Sequence, residues 1–327
     1  MNRRSLLVGA GSLAISQTLA GCANPNQPFL EVQLLRSSIP VQLVNEFHKQ
    51  TDRPINLKVG TEAQLQTLFS QLQRWKQSPP QQTDHNSWWQ TLLSWIPFTG
   101  NRSSGRVADL VTLGDAWFAK AIEQQLIKPL PVRRLTGWSQ IASYPALQQL
   151  VTRNQQGFPD PSGQVWGVPY RMGSTVIAYR RDIFEQQGLQ PPTDWADLWR
   201  PELRGRISLL NQARDVIGLT LKKLGKSYNE ANLRQIPELE NELRSLQAQV
   251  KFYSSDTYLQ ALMLDDVWVS VGWSTDVLPL TRRSRQISVV IPKSGTALWA
   301  DLWVNPVMNP DPLSLAALDW IDFCWKP

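Results

Sequence analysis

The sequence predicts an α/β protein, and three observations carry that prediction. Residues 27–59 read strand, turn, helix, strand, the opening of a parallel sheet. Helical and extended periodicities then alternate along the chain instead of segregating into blocks. The 327 residues suffice to bury a large core, most naturally as two lobes, and burial must supply the stability because Cys22 and Cys324 are the only cysteines.

The elements follow in order. "FLEVQLL" alternates as a strand, "VQLVNEFHKQT" places Leu43, Val44 and Phe47 on one helical stripe, and "INLKV" alternates again. Over residues 75–106 the composition shifts to Gln, Ser, Pro and Trp, which predicts an insertion with a short amphipathic helix at 87–95. Its Trp88, Trp89, Leu92 and Trp95 suit either a membrane surface or packing back on the parent lobe. "VADLVTLG" is a buried strand ending at Gly114 and Asp115, and "AWFAKAIEQQLI" is the helix after it. The segment from "WGVPY" to "VIAY" carries Pro169 and Gly173 between apolar runs, as expected of a strand that changes direction or crosses between lobes. "DWADLWRPELRGRISLLNQARDVIGLTLKKLG" reads helix, turn, strand, polar loop, helix. "IPELENELRSLQAQV" is a helix with its charges outward, "DDVWVSVGW" a buried strand ending at Trp273, and "LTRRSR" at 280–285 a solvated turn.

The first residues, "MNRRSLLVGAGSLAISQTLAGCANPN", combine a positive start, an apolar stretch too short to span a bilayer, and small residues before a cysteine. This predicts an export signal at 1–21 and a linker at 22–28. The "LAGC" run looks like a bacterial lipobox, which makes Cys22 the expected lipidated first residue of the mature chain. Arg3 and Arg4 fit a twin-arginine signal and an ordinary one equally. "GAGSLA" matches a dinucleotide fingerprint in letters only, since no strand precedes it and no βαβ unit contains it. With the signal removed, the formal charge falls from +6 to +4, and no basic block interleaved with aromatics suggests nucleic acid.

Candidate chemistry lies near the C-terminus, in "GTALWADLWVNP". In an extended strand Trp299, Asp301 and Trp303 share one face, with Ala300 and Leu302 on the other. A carboxylate between indoles suits a cationic guest, through a charge-assisted hydrogen bond and cation–π attraction. The same pattern also suits a half-exposed strand with one surface Asp. A hydrolase is disfavoured: His48 and His85 are the only histidines, neither has metal-ligand spacing, and no G-x-S-x-G turn occurs.

Together, "LWRPELRGRISLLNQARDVIGLTLKKLG", "VWGVPYRMGSTVIAYRRDIF" and "LWADLWVNP" resemble the periplasmic polyamine-binding proteins of spermidine/putrescine ABC transporters. The similarity runs from Glu31 to the C-terminus, interrupted at 75–106. It implies a two-lobed fold of the type II periplasmic-binding kind, with lobe 1 over 29–177 and 301–327, lobe 2 over 178–300, and ligand held between them. The family's Trp–Asp pair that meets an ammonium group matches Trp299 and Asp301, and its tryptophan closing the preceding buried strand matches Trp273. Of its two acids before the "ARDVIG" helix, the second survives as Asp215 and the first is Gln212. Its serine and tyrosine after the "DLV" strand correspond to Gly114 and Ala116, leaving Asp115 and Trp117 as neighbouring substitutes. The aromatic residue of its opening loop is replaced near Arg36 and Ser37. Family members continue beyond "SLAALDWIDFCWKP", so the end at Pro327 implies either a truncated sequence or a second lobe without its last part.

The function so implied is that of an exported, lipid-anchored periplasmic binding protein, monomeric and not an enzyme. It would capture a polyamine, of the putrescine or spermidine kind, for an ABC permease, with no metal, cofactor or nucleic acid. The departures at Gln212 and Gly114 keep a second reading open: a degenerate binding protein, or a binder of another small solute, without polyamine transport.

Overall fold

The structure is a computed structural model that describes residues 28–51, 54–78, 106–310 and 312–326. The signal, Cys22, and the helix expected at 87–95 lie outside the described residues.

The strands are β1 (Phe29–Leu35), β2 (Asn56–Glu62), β3 (Leu110–Gly114), β4 (Ile127–Lys128), β5 (Thr152–Arg153), β6 (Gln164–Val165), β7 (Gly167–Arg180), β8 (Ile207–Leu209), β9 (Val250–Tyr253), β10 (Val269–Trp273), β11 (Ile287–Val290) and β12 (Leu298–Pro306). The helices are α1 (Val41–Gln50), α2 (Leu65–Gln77), α3 (Asp115–Glu123), α4 (Trp138–Ala142), α5 (Pro145–Val151), α6 (Arg181–Gln186), α7 (Ala213–Lys223), α8 (Leu239–Gln249), α9 (Tyr258–Met263), α10 (Ser274–Arg283) and α11 (Leu315–Cys324).

The main sheet runs β2-β1-β3-β12-β7-β10-β8-β9, with β4 beside β12 and β11 beside β7. Strands β1, β2 and β3 are parallel, as are β8, β9 and β10, while β12 and β7 run antiparallel to their neighbours. Strand β7 joins the two parallel groups. Its residues 167–174 pair with β12, and its residues 175–179 pair with β10. A 14-residue strand is long for a globular protein, and Gly173 sits just before the change of partner. A Cβ on Gly173 would come within 2.4 Å of the Trp299 ring, so only glycine lets that indole lie against the strand.

Each half of the sheet buries apolar side chains on both faces, as alternating strands covered by helices must. In the first half Leu30, Phe47, Trp303 and Trp320 pack on one face, and Leu68, Val111, Phe118 and Leu302 on the other. In the second half Ile177, Trp195, Val269 and Val271 form one cluster, and Val176, Ala178, Tyr258 and Leu262 another. The 195–199 turn is pinned by a capping box, in which Asp197 Oδ2 accepts from the Asp194 backbone N–H at 3.0 Å and the Asp194 side chain accepts from the Asp197 backbone N–H; Asp194 Oδ1 also accepts from the Trp195 N–H at 2.7 Å.

Three local expectations differ from the structure. Leu43 is 47% exposed while Phe47 is buried, so the inward stripe of α1 is narrower than its composition suggests. Helix α2 continues through Gln77 and buries Trp75, so the polar segment begins after that helix and not at residue 75. Of "LTRRSR", only residues 280–283 form the last turn of α10, where the exposed Arg282 and Arg283 complement the negative end of the helix dipole; Ser284 caps it and Arg285 lies in the turn beyond.

Candidate ligand-binding site

In open α/β sheets the carboxyl ends of parallel strands leave a crevice where loops and helix N-termini meet. Here β3 ends at Gly114 and opens α3 at Asp115, β10 ends at Trp273 and opens α10 at Ser274, and β8 leads through Gln212 into α7. Asp115 and Trp117, Trp273, and Gln212 and Asp215 therefore sit at or just past the ends of three different strands, while Trp299 and Asp301 lie within β12.

The Trp299–Asp301 pair behaves as strand geometry requires. Ala300, Leu302 and Val304 enter one core cluster, while Trp303 enters the opposite one and stacks on Tyr170 with ring centroids 4.4 Å apart. Asp301 lies between Gly114 of β3 and Arg171 of β7. Its carboxylate is only 3% exposed, and it is not a surface Asp.

A cation meets that carboxylate, and it belongs to the chain itself. Arg171 donates from Nη1 to Asp301 Oδ2 at 3.1 Å, and from Nη2 to Thr275 Oγ1 at 2.9 Å and Asp276 Oδ1 at 3.2 Å. Its guanidinium carbon lies 5.1 Å from the Trp299 ring centroid, within cation–π range. Two carboxylates thus share one guanidinium. Burial nevertheless pushes the Asp301 carboxyl up to about 6, against the downward pull of Arg171, and the nearby negative charges of Asp115 and Asp276 add to the rise. Asp276 Oδ2 also accepts from the Tyr258 hydroxyl at 3.0 Å, and that ring meets Trp273 edge-on at 6.4 Å. The Trp299 Nε1–H is buried and has no acceptor among the described residues.

Asp215 lies in the first turn of α7 and accepts from Thr175 Oγ1 at 2.8 Å and the Tyr228 hydroxyl at 3.0 Å. Burial raises its pKa, and these two hydrogen bonds oppose the rise. Asp115 is also raised by burial, opposed first by the charge of Arg214. Among the described residues, neither Asp115 nor Asp215 has a cation at ion-pair distance. Arg214, which is exposed, acts on both from farther away.

Other predicted residues are less committed to the site. Gln212 is exposed at the N-cap of α7 and makes no capping hydrogen bond. Trp117 stacks on Phe69 with centroids 4.8 Å apart, so one of its faces is spent on the core. A Cβ on Gly114 would lie 2.7 Å from Leu65 Cδ1, which fills the space a serine would use. Sequence reasoning missed Arg171, Thr175, Tyr228, Tyr258 and Asp276. The available signal was the spacing of Arg171, Gly173 and Thr175, which share one face of β7.

No group of three or more His, Cys, Asp or Glu among the described residues is placed to hold a metal ion, and no helix among them is long and apolar enough to cross a membrane. An α/β sheet in which two parallel groups are joined through the antiparallel strands β12 and β7 is the two-lobed fold of periplasmic binding proteins. The chain belongs to the bacterial extracellular solute-binding proteins, whose family model matches residues 105–327, and it is a solute-binding protein and not an enzyme.

Its relatives include the spermidine/putrescine-binding periplasmic protein of Escherichia coli K12, 24% identical over 321 residues, covering 98% of this chain and 79% of that protein. The corresponding protein of Salmonella typhimurium is 30% identical over 168 residues, covering 51% and 47%. The crystal structure of a spermidine/putrescine ABC transporter substrate-binding protein from Streptococcus pneumoniae superposes with a TM-score of 0.67 at 20% identity, over 91% of this chain and 77% of the other.

Proposed function

We propose that this protein captures a small alkylamine of the polyamine class in the interlobe site and delivers it to an ABC permease. One observation carries the reading: among the described residues the carboxylates of Asp115, Asp215, Asp276 and Asp301 lie near the strand ends and outnumber the guanidiniums that act on them, those of Arg171, Arg214 and Arg153, beside the indoles of Trp273 and Trp299. A surplus of buried or half-buried negative charge beside aromatic faces attracts an ammonium ion. The polyamine binding named for the relatives supports the same class.

The lobe division that this reading uses, 29–177 with 301–327 and 178–300, is supported by the change of partners along β7. The test is calorimetry of the mature chain against polyamines, amino acids and sugars. A diamine should bind, and Asp215→Asn should weaken it about 10- to 100-fold, the worth of one charge-assisted hydrogen bond. Silence toward every amine sinks the reading. In that case the second reading stands, a binding-protein scaffold used for interaction, which the occupation of Asp301 by Arg171 and the loss of an acid at Gln212 favour.

We further propose that Cys22 carries a lipid that holds a monomeric protein at a membrane surface facing the periplasm. The support is the "LAGC" run after an apolar stretch. Cys22→Ser should release the protein or leave its precursor uncleaved. Unchanged membrane attachment contradicts the anchor.

A further inference from the structure

The Asp301 site already holds a cation that is covalently part of the chain. The Arg171 guanidinium meets two carboxylates and a threonine hydroxyl and lies over an indole, which is the full set of contacts an alkylammonium group would seek there. Its side chain is 20% exposed, so it lines the site from within and is not merely core.

The strand holding it fixes its place. In β7, Arg171 and Thr175 are four residues apart on one face, about 13 Å along the strand. Arg171 binds Asp301 and Asp276, and Thr175 binds Asp215. One end of the site is therefore neutralised internally to the extent of one charge, while the other keeps a carboxylate whose close partners are two hydroxyls.

We propose that Arg171 is a specificity-determining residue that stands in for one ammonium group of the ligand, so that the site is matched to a diamine and discriminates against a triamine. This rests on the alkylamine reading above and names the member of that class the site takes. A third ammonium would have to displace the guanidinium from Asp301 and Asp276 or remain beside it, and the two cations would repel each other in a partly desolvated site.

The test compares affinities for a linear diamine and a linear triamine, by calorimetry, in the full mature chain and in Arg171→Met. Methionine keeps an unbranched stem beside Trp299 and removes the charge. In the parent chain the diamine should bind at least as tightly as the triamine. In Arg171→Met the ratio should move at least tenfold toward the triamine. A ratio that stays within twofold overturns the proposal while leaving the alkylamine reading intact. Absence of binding to any amine by both proteins overturns that reading and this proposal together. Should Arg171→Met fail to fold, the parent chain decides alone: a tenfold or greater preference for the triamine overturns the proposal, and parity or preference for the diamine supports it.

Discussion

Asp301 shows how burial and charge combine at a single residue. In the folded chain burial pushes its carboxyl up to about 6, while 3.8 is its ordinary value. The folded state thus binds the proton more tightly than the unfolded state, so this group's contribution to stability falls as pH rises from about 4 to about 6 and is constant above. Midpoints of thermal unfolding, measured for the parent and Asp301→Asn from pH 4 to 7.5 without ligand, should show the parent losing ground to the variant across that window. Parallel curves would show that Asp301 ionises alike in both states. Binding of a ligand cation nearby has the opposite sign, because its charge adds to that of Arg171 in favouring the ionised carboxylate. Affinity should therefore rise with pH through about 6, with proton release detectable by calorimetry in buffers of different ionisation enthalpy.

At the scale of the element, β7 is the organising piece. The close approach of Trp299 at Gly173 makes that position intolerant: Gly173→Ala would push a methyl to 2.4 Å from the ring and 2.8 Å from Ser274 Oγ. Overpacking of this kind costs about 1–3 kcal/mol, and the displaced indole should also weaken amine binding. Urea unfolding and calorimetry on the variant check both effects, and unchanged values in both would show that the ring yields freely. Much of this level was legible in the sequence. The alternation of strands and helices, the crossing strand around Pro169 and Gly173, and the shared face of Trp299 and Asp301 all follow from local periodicity. What sequence reasoning missed depends on pairings far apart in the chain. Arg171 reaches Asp301 across 130 positions, and Thr175 reaches Asp215 across 40, through register that no local pattern encodes. The start of the polar insertion, expected at residue 75, falls inside α2 for a different reason: Trp75 belongs to the core side of that helix, yet its neighbours in sequence read as a polar loop.

At the scale of the molecule, a two-lobed protein whose halves share one unbroken strand should unfold as a unit. The two halves are joined through β7, whose residues 167–174 pair with β12 and whose residues 175–179 pair with β10, so disorder in one half reaches the strand that edges the other. Far-ultraviolet circular dichroism and tryptophan fluorescence should report one coincident urea transition, and two separated transitions would show that the halves are energetically independent. The placement of Arg171 on that shared strand has a further effect, on how the protein meets a changing medium. A counter-ion drawn from solution is as abundant as the surroundings allow, and is diluted, exchanged or outcompeted when they change. One fixed to the backbone is present at an effective concentration set by its tether, with no bath able to deplete it. The charge around Asp301 is thereby set in part by covalent connectivity and not by the ions of the medium alone.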